Sequence, residues 1–261
     1  MSPDFKTVVY EKKDNIVVIT LNRPEKYNAL NLQLNQELKN SLKKAKEDND
    51  VRVIVITGAG KAFCAGADVS MFGSKELKAA LEEPHKYLVS PNDFFKLYKP
   101  IIAAVNGLAV GEGMNIALVC DFIYASENAF FIEATTNMGL LAEFNAIFTL
   151  PKTVGVQRAK ELIYTTDRIY ANEALRIGLV NKVFPQDELL PKTLETAKRI
   201  AEKPPLAISY SKEVIQKAYE EVYNKMNQIE REYQAKLYAT EDHLEAAKSF
   251  LQKRKPVFKG K

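Results

Sequence analysis

The hydropathy pattern is dominated by two near-continuous apolar runs, Val53–Thr57 and Ile101–Val105, each bounded by small or polar residues. Runs of this length without alternation predict strands buried on both faces. Upstream, Val8–Glu11 and Ile16–Leu21 flank the polar turn Lys12-Lys13-Asp14-Asn15 and predict a hairpin, which Asn22-Arg23-Pro24 ends. Asn31 is placed to cap a helix in which Leu32, Leu34, Leu38, Leu42 and Ala45 recur at helical spacing, with Lys39, Lys43, Lys44 and Lys46 turned away. Between Met71 and Pro100 the pattern weakens, and the Ser90-Pro91-Asn92 break predicts a helix, a mobile link and a second helix.

Beyond Ile101–Val105 the alternation resumes. A helix is expected over Met114–Val119, strands over Asp121–Ala125 and Phe130–Ile132, and a turn at Gly139–Ala142 leading into a helix that runs to about Lys152. Helices over Gln157–Thr165 and Ala171–Ile177 precede a last short strand, Val180–Val183. This order is that of an α/β protein. From Leu189 onward the pattern is amphipathic and helical: Leu189–Ala201, Leu206 to about Tyr238, and His243–Gln252, split by Pro204-Pro205 and by Thr240-Glu241-Asp242. Such a tail has an apolar face and no sheet of its own, so it is expected to pack over the core or against another subunit.

The 261 residues, 46% hydrophobic and 27% charged, suffice for one large core or one core with an appendage. A net charge of +4 is compatible with an anionic small molecule and does not by itself argue for nucleic acid. Two cysteines, Cys64 and Cys120, provide no disulfide framework and point to a reducing compartment. No apolar stretch approaches the ~20 residues of a membrane helix or forms a signal core, so a soluble, cytoplasmic protein is expected. The final Lys259-Gly260-Lys261 is not a peroxisomal address.

The chemistry sits where the two central strands end. The first leads into KAFCAGAD (Lys61–Asp68), the second into Asn106-Gly107 and then Gly111-Glu112-Gly113. Two small-residue turns of this kind can bring two backbone N–H groups together, the arrangement that holds a carbonyl oxygen gaining negative charge. Each glycine alone is more often a simple turn residue; their placement after two buried strands is what singles them out. Cys64 reads as a small buried thiol rather than a nucleophile, and His85 and His243 have neither metal spacing nor a Ser or Cys partner. No metal or separate cofactor is implied.

Four segments in order, LNRPEKYNAL (Leu21–Leu30), VIVITGAGKAFCAGADVSMF (Val53–Phe72), KPIIAAVNGLAVGEG (Lys99–Gly113) and ANEALRIGLVNKVFP (Ala171–Pro185), resemble the crotonase superfamily of enoyl-CoA hydratases and isomerases. The resemblance implies a spiral of strand-strand-helix units over residues 1–200 and a helical C-terminal region, 201–261, that builds a homo-oligomer, a trimer or hexamer. It implies an acyl-CoA substrate whose thioester oxygen lies against the N–H groups of Ala67 and Glu112. Glu112 replaces the family's usual glycine, and its carboxylate is expected to turn away from that oxygen. The likeness further assigns Lys26 and the Ala65, Gly66, Asp68, Val69 and Gly111 strip to coenzyme A, although Asp68 reads more readily as a helix cap. Arg23, Lys253, Arg254, Lys255 and Lys259 are further candidates for its phosphates, with Phe258 contributed by a neighbouring subunit.

Hydratases of the superfamily use two glutamates; the matching positions here are Asn115 and Thr135, neither a general base at neutral pH. The run MGLLAEFNAIFTLPK from Met138 instead resembles the peroxisomal type of Δ3,Δ2-enoyl-CoA isomerase, whose single catalytic glutamate falls on Glu143. Apolar neighbours are expected to raise the proton affinity of Glu143. Glu133 is a second, less favoured base. The alternatives are another crotonase reaction on an acyl thioester, of decarboxylase, dehydratase or polyketide-tailoring type, and an RNA-binding relative. Acidic residues among the helix lysines and the lack of interleaved aromatics weigh against the RNA reading.

Overall fold

The computed structural model describes residues 5–261. The predicted hairpin forms from β1 (Val8–Lys13) and β2 (Ile16–Leu21), antiparallel with Val8 opposite Leu21 and Lys13 opposite Ile16. Helix α1 (Leu32–Glu47) starts where the side chain of Asn31 accepts the Leu34 N–H at 2.8 Å, and it buries Leu34, Leu38, Leu42 and Ala45 against the hairpin.

Three strand pairs then follow: β3 (Val53–Gly58) with β4 (Ala62–Cys64), β5 (Ile101–Val105) with β6 (Leu108–Val110), and β7 (Phe122–Ser126) with β8 (Phe130–Ile132). Between the first two pairs lie α2 (Lys75–Glu82), α3 (Pro84–Tyr87) and α4 (Pro91–Phe95); between the last two lies α5 (Glu112–Leu118). After β8 come α6 (Ala146–Val154), α7 (Val156–Thr165), the two-residue β9 (Ile169–Tyr170), α8 (Ala171–Arg176) and β10 (Lys182–Phe184). The chain ends in α9 (Leu189–Ala201), α10 (Pro205–Lys217), α11 (Glu220–Tyr238) and α12 (Glu241–Leu251).

Each pair places one strand in each of two sheets. The first sheet has the order β1-β2-β3-β5-β7-β10, the second β4-β6-β8-β9, and all pairings are parallel except β1 with β2 and β8 with β9. The expected α/β spiral of strand-strand-helix units with a helical C-terminal region is therefore the observed fold. Its main core lies between the sheets, where Ile54 and Ile56 of β3 and Ile101, Ala103 and Val105 of β5 meet Phe63 of β4 and Phe131 of β8. Their alternates Val53, Val55, Ile102 and Ala104 face Leu189, Ala197 and Ala201 of α9. Burial on both faces is why these strands carry no alternation in the sequence. No described helix is long and apolar enough to cross a membrane.

Four expectations change. Residues 71–100 form three short helices rather than two joined by a link. The long helix from Leu206 breaks at Ala218–Tyr219 into α10 and α11. α6 begins only at Ala146, because Phe144 and Asn145 are left-handed (φ 56° and 62°), which leaves Glu143 on a turn ahead of the helix. The short strands β4, β6 and β9 were not foreseen, since three residues or fewer carry no readable period.

One buried side chain ties the chain entering α1 to the β3–β4 connection. Asn28, fully buried, donates to the carbonyls of Ala59 (3.0 Å), Ala62 (2.8 Å) and Phe63 (3.2 Å) and accepts the Arg23 N–H at 2.8 Å. Asn28→Ala would orphan several of these groups. It is expected to lower unfolding stability by about 2–4 kcal/mol, measured by urea denaturation.

Candidate active site

The two glycine-rich turns meet backbone to backbone. A parallel bridge pairs Leu30 with Ala67 through Leu30 N–H to Gly66 O (2.8 Å) and Asp68 N–H to Leu30 O (3.1 Å). Because the bridge uses the groups on either side of Ala67, its own N–H points the opposite way. Gly66, at φ +85°, sits directly against the β6–α5 connection: a Cβ there would stand 2.6 Å from Val110 O and 3.4 Å from Glu112 N. Gly113 is equally constrained, since its Cβ would lie 2.2 Å from Cys64 O. Glu112 opens α5, so its N–H has no acceptor within the helix. Ala67 and Glu112 both line a cavity of about 950 Å³.

Glu143 lines the same cavity from the turn before α6. That turn is fastened by three side chains. Asn115 donates to Glu143 O at 3.0 Å, Gln234 accepts the Leu141 N–H at 2.9 Å, and Glu230 accepts the Asn145 N–H at 3.1 Å. Gln234 also donates to the Glu143 carboxylate, Nε2 to Oε2, at 2.9 Å. Burial lifts the Glu143 carboxyl to about 7, opposed by the Gln234 hydrogen bond and reinforced by the charge of Glu133. Glu230 is pushed up to about 8, first by burial and further by the charge of Glu143.

The carboxyl of Glu112 lies close enough to Glu143 that burial and the Glu143 charge together hold it well above the usual carboxylate range. Asn115 is fully buried and occupied in holding the turn that carries Glu143, while Thr135 donates to Glu133 Oε1 at 2.5 Å. Glu133 is itself fully buried and does not line the cavity, although its charge is near enough to raise Glu143.

Among the remaining expected residues, Asp68 accepts the Ser70 N–H as the cap of a short 3₁₀ turn, Val69–Met71, and pairs with Arg23 at 3.1 Å. That ion pair, with a further hydrogen bond to Ala29 O, fixes Arg23 Nη1 to the fold. Lys26 stays exposed beside the strip, and Ala65 donates to Tyr27 O at 3.0 Å. Gly111, at φ +52°, donates to Ile132 O at 2.8 Å and so shapes the second turn. Arg254 pairs with Glu245 at 2.6 Å, away from the cavity. Burial pushes the Cys64 thiol up to about 12, removing it as a nucleophile, and His243 is held by Met138 O at 2.8 Å. No group of described residues suits a metal ion.

Sequence reasoning missed Asn227, Glu230 and Gln234 on α11, all buried and all lining the cavity. Their signal was present as a polar stripe at helical spacing, three and then four residues apart, on the face where an amphipathic helix places apolar side chains.

A chain with this fold and these convergent turns falls in a recognised class, and the comparisons agree. The family model for enoyl-CoA hydratase/isomerase matches residues 11–261. The chain is 37% identical to a crotonyl-CoA hydratase of Syntrophomonas wolfei, over 97% of its length and 98% of that relative's. It is 37% identical to a short-chain-enoyl-CoA hydratase of Clostridium acetobutylicum, with 97% of each covered. Its fold superposes with a TM-score of 0.87 and 31% identity on an enoyl-CoA hydratase from Mycobacterium avium subsp. paratuberculosis, covering 97% of this chain and 99% of that one. The chain belongs to the enoyl-CoA hydratase/isomerase family.

The raised carboxyls have a consequence for stability. A folded-state value of about 8 for Glu230, against the ordinary 4.5, means the folded protein binds that proton more tightly than the unfolded chain. The resulting penalty is absent below pH 4.5, grows as pH rises to 8 and is complete above it. Glu230→Gln keeps an acceptor for Asn145 and cannot ionise. It is expected to match the wild type at pH 4 and to exceed its stability at pH 9 by on the order of 3 kcal/mol in urea titrations.

Proposed function

We propose that this protein moves the double bond of a 3-enoyl-CoA to the trans-2 position. The coarser statement, a crotonase-type reaction on an acyl-CoA thioester, follows from family membership. The finer one is carried by one observation: Glu143, a carboxyl poised near neutrality, shares a cavity with two unclaimed N–H groups, while the hydratase positions hold Asn115 and Thr135.

In this reading the thioester oxygen sits between the N–H groups of Ala67 and Glu112. Glu143 takes a proton from C2, the electron pair moves onto the oxygen as a dienolate, and the same carboxyl returns the proton to C4 as the double bond forms between C2 and C3. The two amides stabilise the dienolate more than the ground state, and loss of one such donor typically costs about 2.7–4 kcal/mol. A base near 7 is half charged at working pH, so it takes and returns the proton with little mismatch in either direction.

A second reading has its own support. Glu112 and Glu143 form a carboxyl pair in which burial and mutual charge favour a neutral acid beside an ionised base, the equipment for adding water across a 2-enoyl double bond. The hydratase names of the relatives above favour this reading. Purified protein offered 3-hexenoyl-CoA and 2-hexenoyl-CoA separates the two. Isomerisation predicts conjugated product from the first. Glu143→Gln should then lower kcat by about 10²–10⁴, while Glu112→Gln, which keeps its N–H, retains most activity. A 3-hydroxyacyl product from the second substrate, lost in both variants, would establish hydration instead.

The homo-oligomer also stands as a proposal. On α10, Leu206, Tyr210, Val214 and Ile215 are each more than half exposed, an apolar face that suits a second copy of the chain. Light scattering is expected to give three or six times the mass of one chain; a monomer at micromolar concentration would refute it.

A further inference from the structure

The base is aimed by a residue ninety positions away. Gln234 is only 7% exposed, and its side-chain amide has one orientation, because Oε1 is occupied by the Leu141 N–H at 2.9 Å. The NH₂ end is thereby directed at Glu143 Oε2, also 2.9 Å away. One helical turn earlier, Glu230 fastens the other end of the same turn through the Asn145 N–H. Between the two fixings lie Phe144 and Asn145, both left-handed without being glycine, a conformation that persists only where its surroundings hold it.

We propose that Gln234 is the positioning residue of this site: its amide, oriented by the Leu141 N–H, aims the Glu143 carboxylate into the cavity and holds it in its ionised form. An amide N–H donates more strongly to a carboxylate than to the neutral acid. Gln234 therefore opposes the burial that surrounds Glu143, and it ties the C-terminal helical region to the Glu143 carboxylate itself.

A tether alone and a tether that tunes the base make different predictions. Gln234→Glu keeps an acceptor for Leu141, gives up the donor to Glu143 and adds a charge that itself repels the Glu143 carboxylate; the neutral Gln234→Met gives up both bonds and so measures the lost donor alone. Glutamate carboxyl titration by ¹³C NMR, with the Glu143 resonance assigned by its loss in Glu143→Gln, reads the pair without substrate. In both variants the Glu143 midpoint is expected to rise by about one unit or more. A midpoint unchanged in folded Gln234→Glu would overturn the proposal, and this variant decides the matter should Gln234→Met fail to fold.

The kinetic arm rests on the isomerase reading. With 3-hexenoyl-CoA, both variants are expected to lose kcat by about tenfold or more with little change in KM, and to shift the acidic limb of the pH profile upward by the same amount as the carboxyl midpoint. If the wild type does not isomerise this substrate, that reading fails while the carbon titration still judges Gln234. If Glu143→Gln is inactive but Gln234→Glu keeps the wild-type kcat and acidic limb, the positioning role fails and the isomerase reading stands.

Discussion

The site depends on one close approach of backbone to backbone. The end of β4 and the start of α5 meet where Gly66 faces Val110 O and Glu112 N and where Gly113 faces Cys64 O, at separations no side chain would permit. A methyl group at either glycine would drive the two turns apart, and the N–H groups of Ala67 and Glu112 would no longer border the same space. The rest of the architecture serves this contact. Parallel β3 and β5, buried on both faces, fix the height at which each turn begins, and the tight steps at Gly58 and Gly107 carry the chain from one sheet into the other. Asn28 then closes the β3–β4 step from the side of α1.

What could be read from the sequence followed from how local each feature is. β3 and β5 were legible because a strand buried on both faces writes itself as an uninterrupted apolar run, and α1 because Asn31 caps a regular stripe. The second sheet was not, since β4 and β6 are three residues each and their only trace is the glycine steps before them. The turn carrying Glu143 was misread as the start of a helix. Phe144 and Asn145 have no composition that announces left-handed backbone, and what holds them there is α11, some eighty-five to ninety residues later. Long-range fixing of this kind has no local signature.

Arg23 serves the fold directly. Its Nη1 pairs with Asp68 and bonds Ala29 O, which makes it part of the wall beside the strip. The same arrangement holds Asp68, where partial burial raises the carboxyl and the hydrogen bonds from Ser70 and Arg23 bring it below its usual range. An ion pair this sheltered shapes the strip through geometry; breaking one partner would leave the other charge without compensation.

The chemistry of the cavity then follows from its proton inventory. Glu112, Glu143 and Glu230 line it and the charge of Glu133 reaches Glu143, all four raised chiefly by burial. Four carboxylates cannot all ionise in so small a volume, so each proton retained by one lowers the cost of ionising its neighbour. The group that ionises first is the one with a donor to stabilise its charge and none of the deepest burial. Glu133 receives the Thr135 hydroxyl but is fully enclosed, and Glu230 accepts a single backbone N–H. Glu143 combines the Gln234 amide with partial access to the cavity. Its neighbours, each raised first by burial, supply an environment in which a second charge costs more than the first. A site of this construction sets one carboxyl apart from several, through a hydrogen-bond donor, Gln234, on a helix remote in sequence.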